Sequence, residues 1–274
     1  MAFMRTTLFK IAAICILATP VAAADRSKIE DFMEITGFDQ SIYSLRTNAK
    51  DAPAMLGLDA DDFGISWKHL ADEIFAEDAL KKDALDILEQ TLADDVLDHA
   101  IAFYASDLGQ RLVAAENASH FADDDLKRAE GQELAAGLME QNSPQPQLFL
   151  DMSNAISSAD QAIASYREVQ VQFLLTAQAA GLVEAQYSEA ELRSLLARND
   201  DDIRDAIREN TISSSAYTYR GFSDQDMRDY LGALSTPQMQ RVYELMNAIQ
   251  YTLMSDRYQQ MAVRMAELHP SQEL

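Results

Sequence analysis

Side chains that could do chemistry are plentiful in this chain of 274 residues, but few stand at a spacing that chemistry requires. The nearest approach to a metal site is Asp59-Ala60-Asp61-Asp62-Phe63-Gly64. It opens like a calcium loop, with acids at positions 1 and 3 and glycine at position 6. Position 5 is Phe63 and position 12 is Leu70, where that loop needs an oxygen ligand and a bidentate glutamate. The segment reads instead as the aspartate-rich start of a helix, as do Asp123-Asp124-Asp125 and Asp200-Asp201-Asp202. The four histidines, His69, His99, His120 and His269, show no paired helical spacing and read as ordinary surface or half-buried residues. Cys15 is the single cysteine, and neither a Gly-x-Ser-x-Gly elbow nor a glycine-rich phosphate loop occurs. With 45 acidic residues, no catalytic carboxylate pair can be singled out. The expectation is therefore no metal, no cofactor and no catalytic residue assignable from spacing.

Binding chemistry is better represented. Tyr243, Met246, Tyr251, Met254, Tyr258, Met261 and Met265 fall largely along one face of the last helix. Methionine is flexible and polarizable, so such a stripe suits either an adaptable binding surface or a core, and the sequence leaves both open.

The elements that must position these residues are helical throughout. Nine glycines and six prolines leave few breaks, and alternating strand patterns are nearly absent. The spacing predicts helices over about 29–36, ending at Gly37, and 39–56, then a loop over 57–66. Further helices follow over 67–75, 77–90, 93–105, 107–117 and 123–141. Asn142-Ser143-Pro144-Gln145-Pro146 reads as the best linker, since two prolines stop a helix. A long apolar stripe from Leu148 to Ala177 comes next and ends at Gly181. Helices over 189–197, 201–214, 224–235 and 237–267 complete the chain. The fold class expected is all-α, a multi-helix bundle of nine to eleven helices in two related halves, 25–141 and 148–274, joined at 142–147.

The two halves are suggested by an internal repeat at an offset of 130 residues. Residues 92–117 align with 222–247, sharing Asp94/Asp224, Gln110/Gln240, Arg111/Arg241 and Asn117/Asn247. Identities are few, but the apolar register agrees. Leu97, Ala100, Ile101 and Tyr104 recur at helical spacing, and so do Met227, Tyr230, Leu231 and Leu234. Ser223 followed by Asp226 makes a capping pair, with Phe222 placed to staple onto Met227. Ser106 and Thr236-Pro237 both read as N-caps at a tight corner. Gly109 would let two helices approach closely, and Phe103 and Tyr104 would pack the corner.

The phrase Phe103-Tyr104-Ala105-Ser106-Asp107-Leu108-Gly109-Gln110-Arg111 resembles the bacterial domain-of-unknown-function family 2059, found mostly in exported proteins of Gram-negative bacteria. That family's phrase is an aromatic pair, a serine, then glycine and a basic residue, after a helix opened by acids. The resemblance covers about 67–140 and is fainter over 190–265, where Ala233, Leu234 and Met239 replace the aromatic pair and the glycine. It implies a helical fold and a periplasmic address, and assigns no activity.

The N-terminus agrees with that address. Arg5 and Lys10 precede a short apolar run, Ile11 to Ala18, and Val21-Ala22-Ala23-Ala24 supplies small residues for cleavage after Ala23 or Ala24. The run is shorter than the roughly 20 residues a bilayer span needs, so no stable membrane anchor is expected after cleavage. Removing residues 1–24 also removes the only cysteine, leaving packing alone to hold an exported protein together. The formal net charge of −23 argues against nucleic acid and anionic lipid and leaves room for a cationic partner.

Three readings of function follow. The first is a non-enzymatic exported helper that binds a protein or peptide partner. The second is a small-ligand carrier or enzyme whose site lies in the groove between the halves, built from scattered carboxylates and arginines such as Arg111 and Arg241. The third is a fitness factor with no discrete ligand.

Overall fold

The computed structural model describes residues 25–49, 64–157, 159–182 and 186–268. The expected signal segment, the loop with Asp59–Gly64 as a whole, and His269 therefore lie outside, or partly outside, the described residues. No strand occurs among the described residues, so the all-α expectation holds.

The chain begins with α1 (Arg26–Thr36), α2 (Phe38–Tyr43) and α3 (Leu45–Asn48). Next come α4 (Gly64–Ile74), α5 (Glu77–Thr91), α6 (Asp94–Tyr104), α7 (Asp107–His120) and α8 (Asp124–Glu140). Beyond Glu140 lie α9 (Gln145–Ile156), α10 (Ala159–Ala179), α11 (Glu189–Leu196), a 3₁₀ turn (Ala197–Asn199), α12 (Asp200–Thr218), α13 (Asp224–Leu234) and α14 (Pro237–Leu268).

Local chemistry explains most of the boundaries. Gly37 ends α1 at φ 69°, a left-handed conformation that glycine adopts without steric penalty. A Cβ there would also stand 2.6 Å from Asn117 Oδ1, so the residue must be small to let α1 meet α7. Asp123 caps α8 by accepting from the Leu126 amide. Ser188 and Glu191 form a reciprocal capping box on α11.

The structure departs from the sequence expectation in three places. The second predicted helix is interrupted at Ser44, giving α2 and α3. The stripe from Leu148 to Ala177 is two helices, because Ser157 leaves the helix in an extended conformation. Finally, α9 starts at Gln145, inside the segment expected as linker. Pro146 sits in its first turn, where the missing N–H has no helical partner to lose. The turn itself is made by Asn142 at φ 53°, with the Ser143 amide donating back to Leu138 O.

Helix α14, 32 residues long, is the axis of the molecule. It packs against α4, α5, α6, α9 and α10. Met239, Met246, Tyr258, Met261 and Met265 are buried in this packing. The Met/Tyr stripe is thus largely core, while Tyr243, Tyr251 and Met254 are half-buried against it. One hydrophobic core runs from Ile29, Phe32 and Met33 of α1 through Leu97 and Ala100 of α6 to Met265. Both segments flanking residues 142–147 contribute to it, and α12 also packs along α8 across that boundary.

Candidate functional site

The site is built where two helix corners face each other. The pairs α6–α7 and α13–α14 begin at Asp94 and Asp224, break at Tyr104 and Leu234, and resume at Asp107 and Pro237, each boundary displaced by 130 residues. Their corner hydrogen bonds correspond as well. The Ser106 hydroxyl donates to Phe103 O at 2.6 Å and accepts from the Gly109 amide at 3.1 Å. The Thr236 hydroxyl donates to Ala233 O at 2.8 Å and accepts from the Met239 amide at 3.3 Å. Both corners are N-caps of their second helix. Gly109 is needed at the first corner, since a Cβ there would lie 2.4 Å from Phe103 O.

Between the corners lies a cavity of about 460 Å³, within the range typical of small-ligand sites. Its walls come from both flanking segments: Gly37, Tyr104, Glu116, Asn117, His120 and Lys127 from one, and Phe149, Met152, Tyr219, Tyr230, Tyr243 and Met246 from the other. Four pairs of positions 130 apart line it together: Tyr104/Leu234, Glu116/Met246, Asn117/Asn247 and His120/Gln250.

At its heart is a carboxylate held by tyrosines. Glu116 Oε1 accepts from the Tyr219 hydroxyl at 2.7 Å and the Tyr230 hydroxyl at 2.9 Å. Tyr230 and Tyr104 oxygens are 3.2 Å apart, as are Tyr230 and Tyr243, and Tyr104 and Tyr243 are 2.5 Å apart. Proton counting orders this network. The Tyr230 proton is committed to Glu116, so the protons of Tyr104 and Tyr243 serve the contact between them and the Tyr230 oxygen. Phe103 stacks on the Tyr230 ring at 5.8 Å and meets Tyr104 edge-on at 5.1 Å, which fixes both rings.

The comparisons with known proteins fit this part of the chain. Residues 78–141 match the family described as uncharacterized protein conserved in bacteria (DUF2059). The matched segment covers α6, α7 and α8 whole and all of α5 but Glu77, and holds Tyr104, Glu116, His120 and Lys127. No curated protein and no solved structure matches the chain.

Burial governs the electrostatics of the site. It raises the Glu116 pKa above the ordinary value, against the opposing hydrogen bonds from Tyr219 and Tyr230. Burial, helped by the nearby Glu116 charge, pushes Tyr104, Tyr219 and Tyr230 well above the usual tyrosine range, and it raises Tyr243 in the same way. These phenols stay protonated. His120 is lowered by burial and then by the Lys127 charge, which favours the neutral imidazole. Lys127 itself reaches Ser119 O at 3.4 Å and Asp124 at 3.4 Å.

The structure places the sequence candidates elsewhere. Arg111 lies outside the cavity, bonded to Asp226 at 2.6 Å and stacked over the Phe222 ring at 5.2 Å, so it ties α7 to the start of α13. Arg241 pairs with Glu244 of its own helix and is exposed. Neither arginine is brought to the groove between the segments. His99 meets the Thr236 hydroxyl at 3.1 Å, and His69 is exposed. Among the described residues no group of three or more His, Cys, Asp or Glu side chains could hold a metal ion.

Sequence reasoning passed over Glu116, yet a signal was present. Gly109, Leu112, Val113, Glu116 and His120 fall at helical spacing on one face of α7, and the first three are buried. A carboxylate continuing an apolar register marks a buried charge, and such a charge needs partners.

Proposed function

We propose that this is an exported small-molecule-binding protein whose ligand occupies the cavity between the α6–α7 and α13–α14 corners. The observation that carries the reading is the 460 Å³ cavity, in which half-buried Glu116 and His120 from one segment meet Tyr219, Tyr230 and Tyr243 from the other, all with shifted pKa values. Polar side chains within it, among them Asn117 and His120, make no hydrogen bond to other described residues and so are free for a ligand. The alternative, a helper that binds a protein or peptide partner, loses one of its supports because most of the Met/Tyr face is core.

Ligand-observed NMR against a library of small fragments tests the reading. A Ser153→Phe variant, which would project a ring into the cavity, serves as the filled control. Fragments that bind the wild type and are lost from the variant support the reading. Fragments that bind both proteins equally, or none at all, refute it.

Export belongs to the same proposal. The reading is supported by the N-terminal pattern of charge, apolar run and small residues, and no helix of the described residues is long and apolar enough to cross a membrane. Mass measurement of protein recovered from the periplasm should give a chain starting at Ala24 or Asp25. A chain retaining Met1 would overturn it. The matching boundaries and caps of the two corners further support an origin by duplication of one helical pair.

A further inference from the structure

The donor and acceptor inventory of the cavity restricts what it can hold, and this inference rests on the small-ligand reading above. All four tyrosine protons are in use: Tyr219 and Tyr230 donate to Glu116 Oε1, and Tyr104 and Tyr243 donate within the hydroxyl triangle. An anion would find no free phenolic donor there. Glu116 Oε2, by contrast, receives no hydrogen bond from any described residue. The cluster therefore presents a carboxylate oxygen with open lone pairs in a cavity whose wall includes Tyr219, Tyr243 and Phe149. Lys127, the cationic side chain on the wall, is drawn toward Asp124 and the Ser119 carbonyl. The formal charge of −23 adds a long-range field that concentrates cations at the surface.

We propose that the cavity binds a small organic cation, with a primary ammonium group on Glu116 Oε2 and an apolar body against Phe149, Met152 and Met246. An ammonium donates to the open lone pairs of Oε2 and carries the charge that complements the carboxylate, which a neutral group of the same shape does not.

Isothermal titration with three probes on the same phenethyl body tests the assignment: phenethylammonium, phenethyl alcohol and 3-phenylpropionate. The amine should bind roughly tenfold or more tighter than the alcohol, and the carboxylate weakest. Glu116→Gln, which keeps an acceptor oxygen for Tyr219 and Tyr230, should bring the amine down to about the level of the alcohol, whose own affinity changes much less. If that variant fails to fold, the wild type gives an independent readout. Acidification protonates Glu116 and should weaken the amine without affecting the alcohol. The other titratable groups around Glu116 are Tyr104, Tyr219, Tyr230 and Tyr243, which stay neutral, together with Lys127 and His120. A His120→Gln variant should retain the acid loss if Glu116 causes it. A carboxylate that binds as well as the amine, or an amine affinity indifferent to both Glu116→Gln and pH, would overturn the cation assignment while the cavity reading stands. Absence of binding for all three probes would overturn the assignment and count against the cavity reading as well.

Discussion

The α6–α7 and α13–α14 corners share boundaries, caps and hydrogen bonds, but they divide the work of the cavity unequally. At positions 130 apart, the first corner supplies Tyr104, Glu116 and His120 where the second supplies Leu234, Met246 and Gln250. The second corner answers with hydroxyls from other registers, Tyr230 and Tyr243, whose counterparts are Ala100 and Val113. A buried carboxylate is costly alone and tolerable when donors from a facing element reach it. The two corners are complementary: the first carries the charge, and the second supplies one of its two donors, Tyr230, while the other, Tyr219, comes from just before α13. The corners differ in packing too, with Gly109 against the backbone of Phe103 in one and the fully buried Met239 at the matching place in the other.

That last difference gives the largest expected effects. Gly109→Ala should cost about 3 kcal/mol, because its Cβ meets backbone that cannot swing aside. Met239→Ala should cost about as much for the opposite reason, a cavity where a buried side chain stood. Urea unfolding of both variants measures this, and a neutral Gly109→Ala would break the account of the first corner.

Capping separates the corners next. Ser223 and Asp226 make a reciprocal box at the start of α13, whereas Ala93 gives α6 no side-chain cap. Asp226→Ala should cost about 1 kcal/mol. The Ser223 bonds, then Arg111, hold the Asp226 carboxyl down at about 2. A lowered pKa means its contribution is present above the ordinary 3.8 and is lost as pH falls toward 2. The stability gap between wild type and Asp226→Asn should therefore shrink between pH 5 and pH 2. A gap that stays constant in acid would show that the carboxylate's charge adds nothing to the cap.

The arginines should separate by less. Arg111→Ala removes a link between α7 and α13 and should cost about 0.5–1 kcal/mol, while Arg241→Ala, confined to its own exposed helix, should fall near zero. Equal losses would remove this contrast between the pairs.

The smallest effect concerns Glu116 and stability. Its raised pKa means that the folded state takes up the proton more readily than the unfolded chain. The resulting contribution is fully present below the ordinary 4.5 and is lost as pH rises through the folded value. Wild type should therefore lose ground to Glu116→Gln on going from pH 4 to pH 7. Melting temperatures at the two pH values read the sign, and the reverse trend would mean that the tyrosines outweigh burial.

Much of this was legible along the chain. Gly37, Ser106, Ser223 and Thr236 mark helix ends because caps act within three or four residues, and the offset of 130 was visible because register is local too. The break at Ser157 was missed because apolar spacing continues across it and serine is permissive rather than decisive. Arg111 and Arg241 were natural candidates for a groove, yet side-chain direction and partner choice depend on elements far away in sequence.

By itself, then, the sequence determined the helical class and the capped corners, both set by interactions between residues a turn or so apart. Only the tertiary structure decided that the Met/Tyr stripe is mostly core and that Glu116 is the centre of the site. Tyr219 and Tyr230 reach the carboxylate and Tyr104 and Tyr243 join them through Tyr230, and that cluster depends on how the helices pack, which no local spacing encodes.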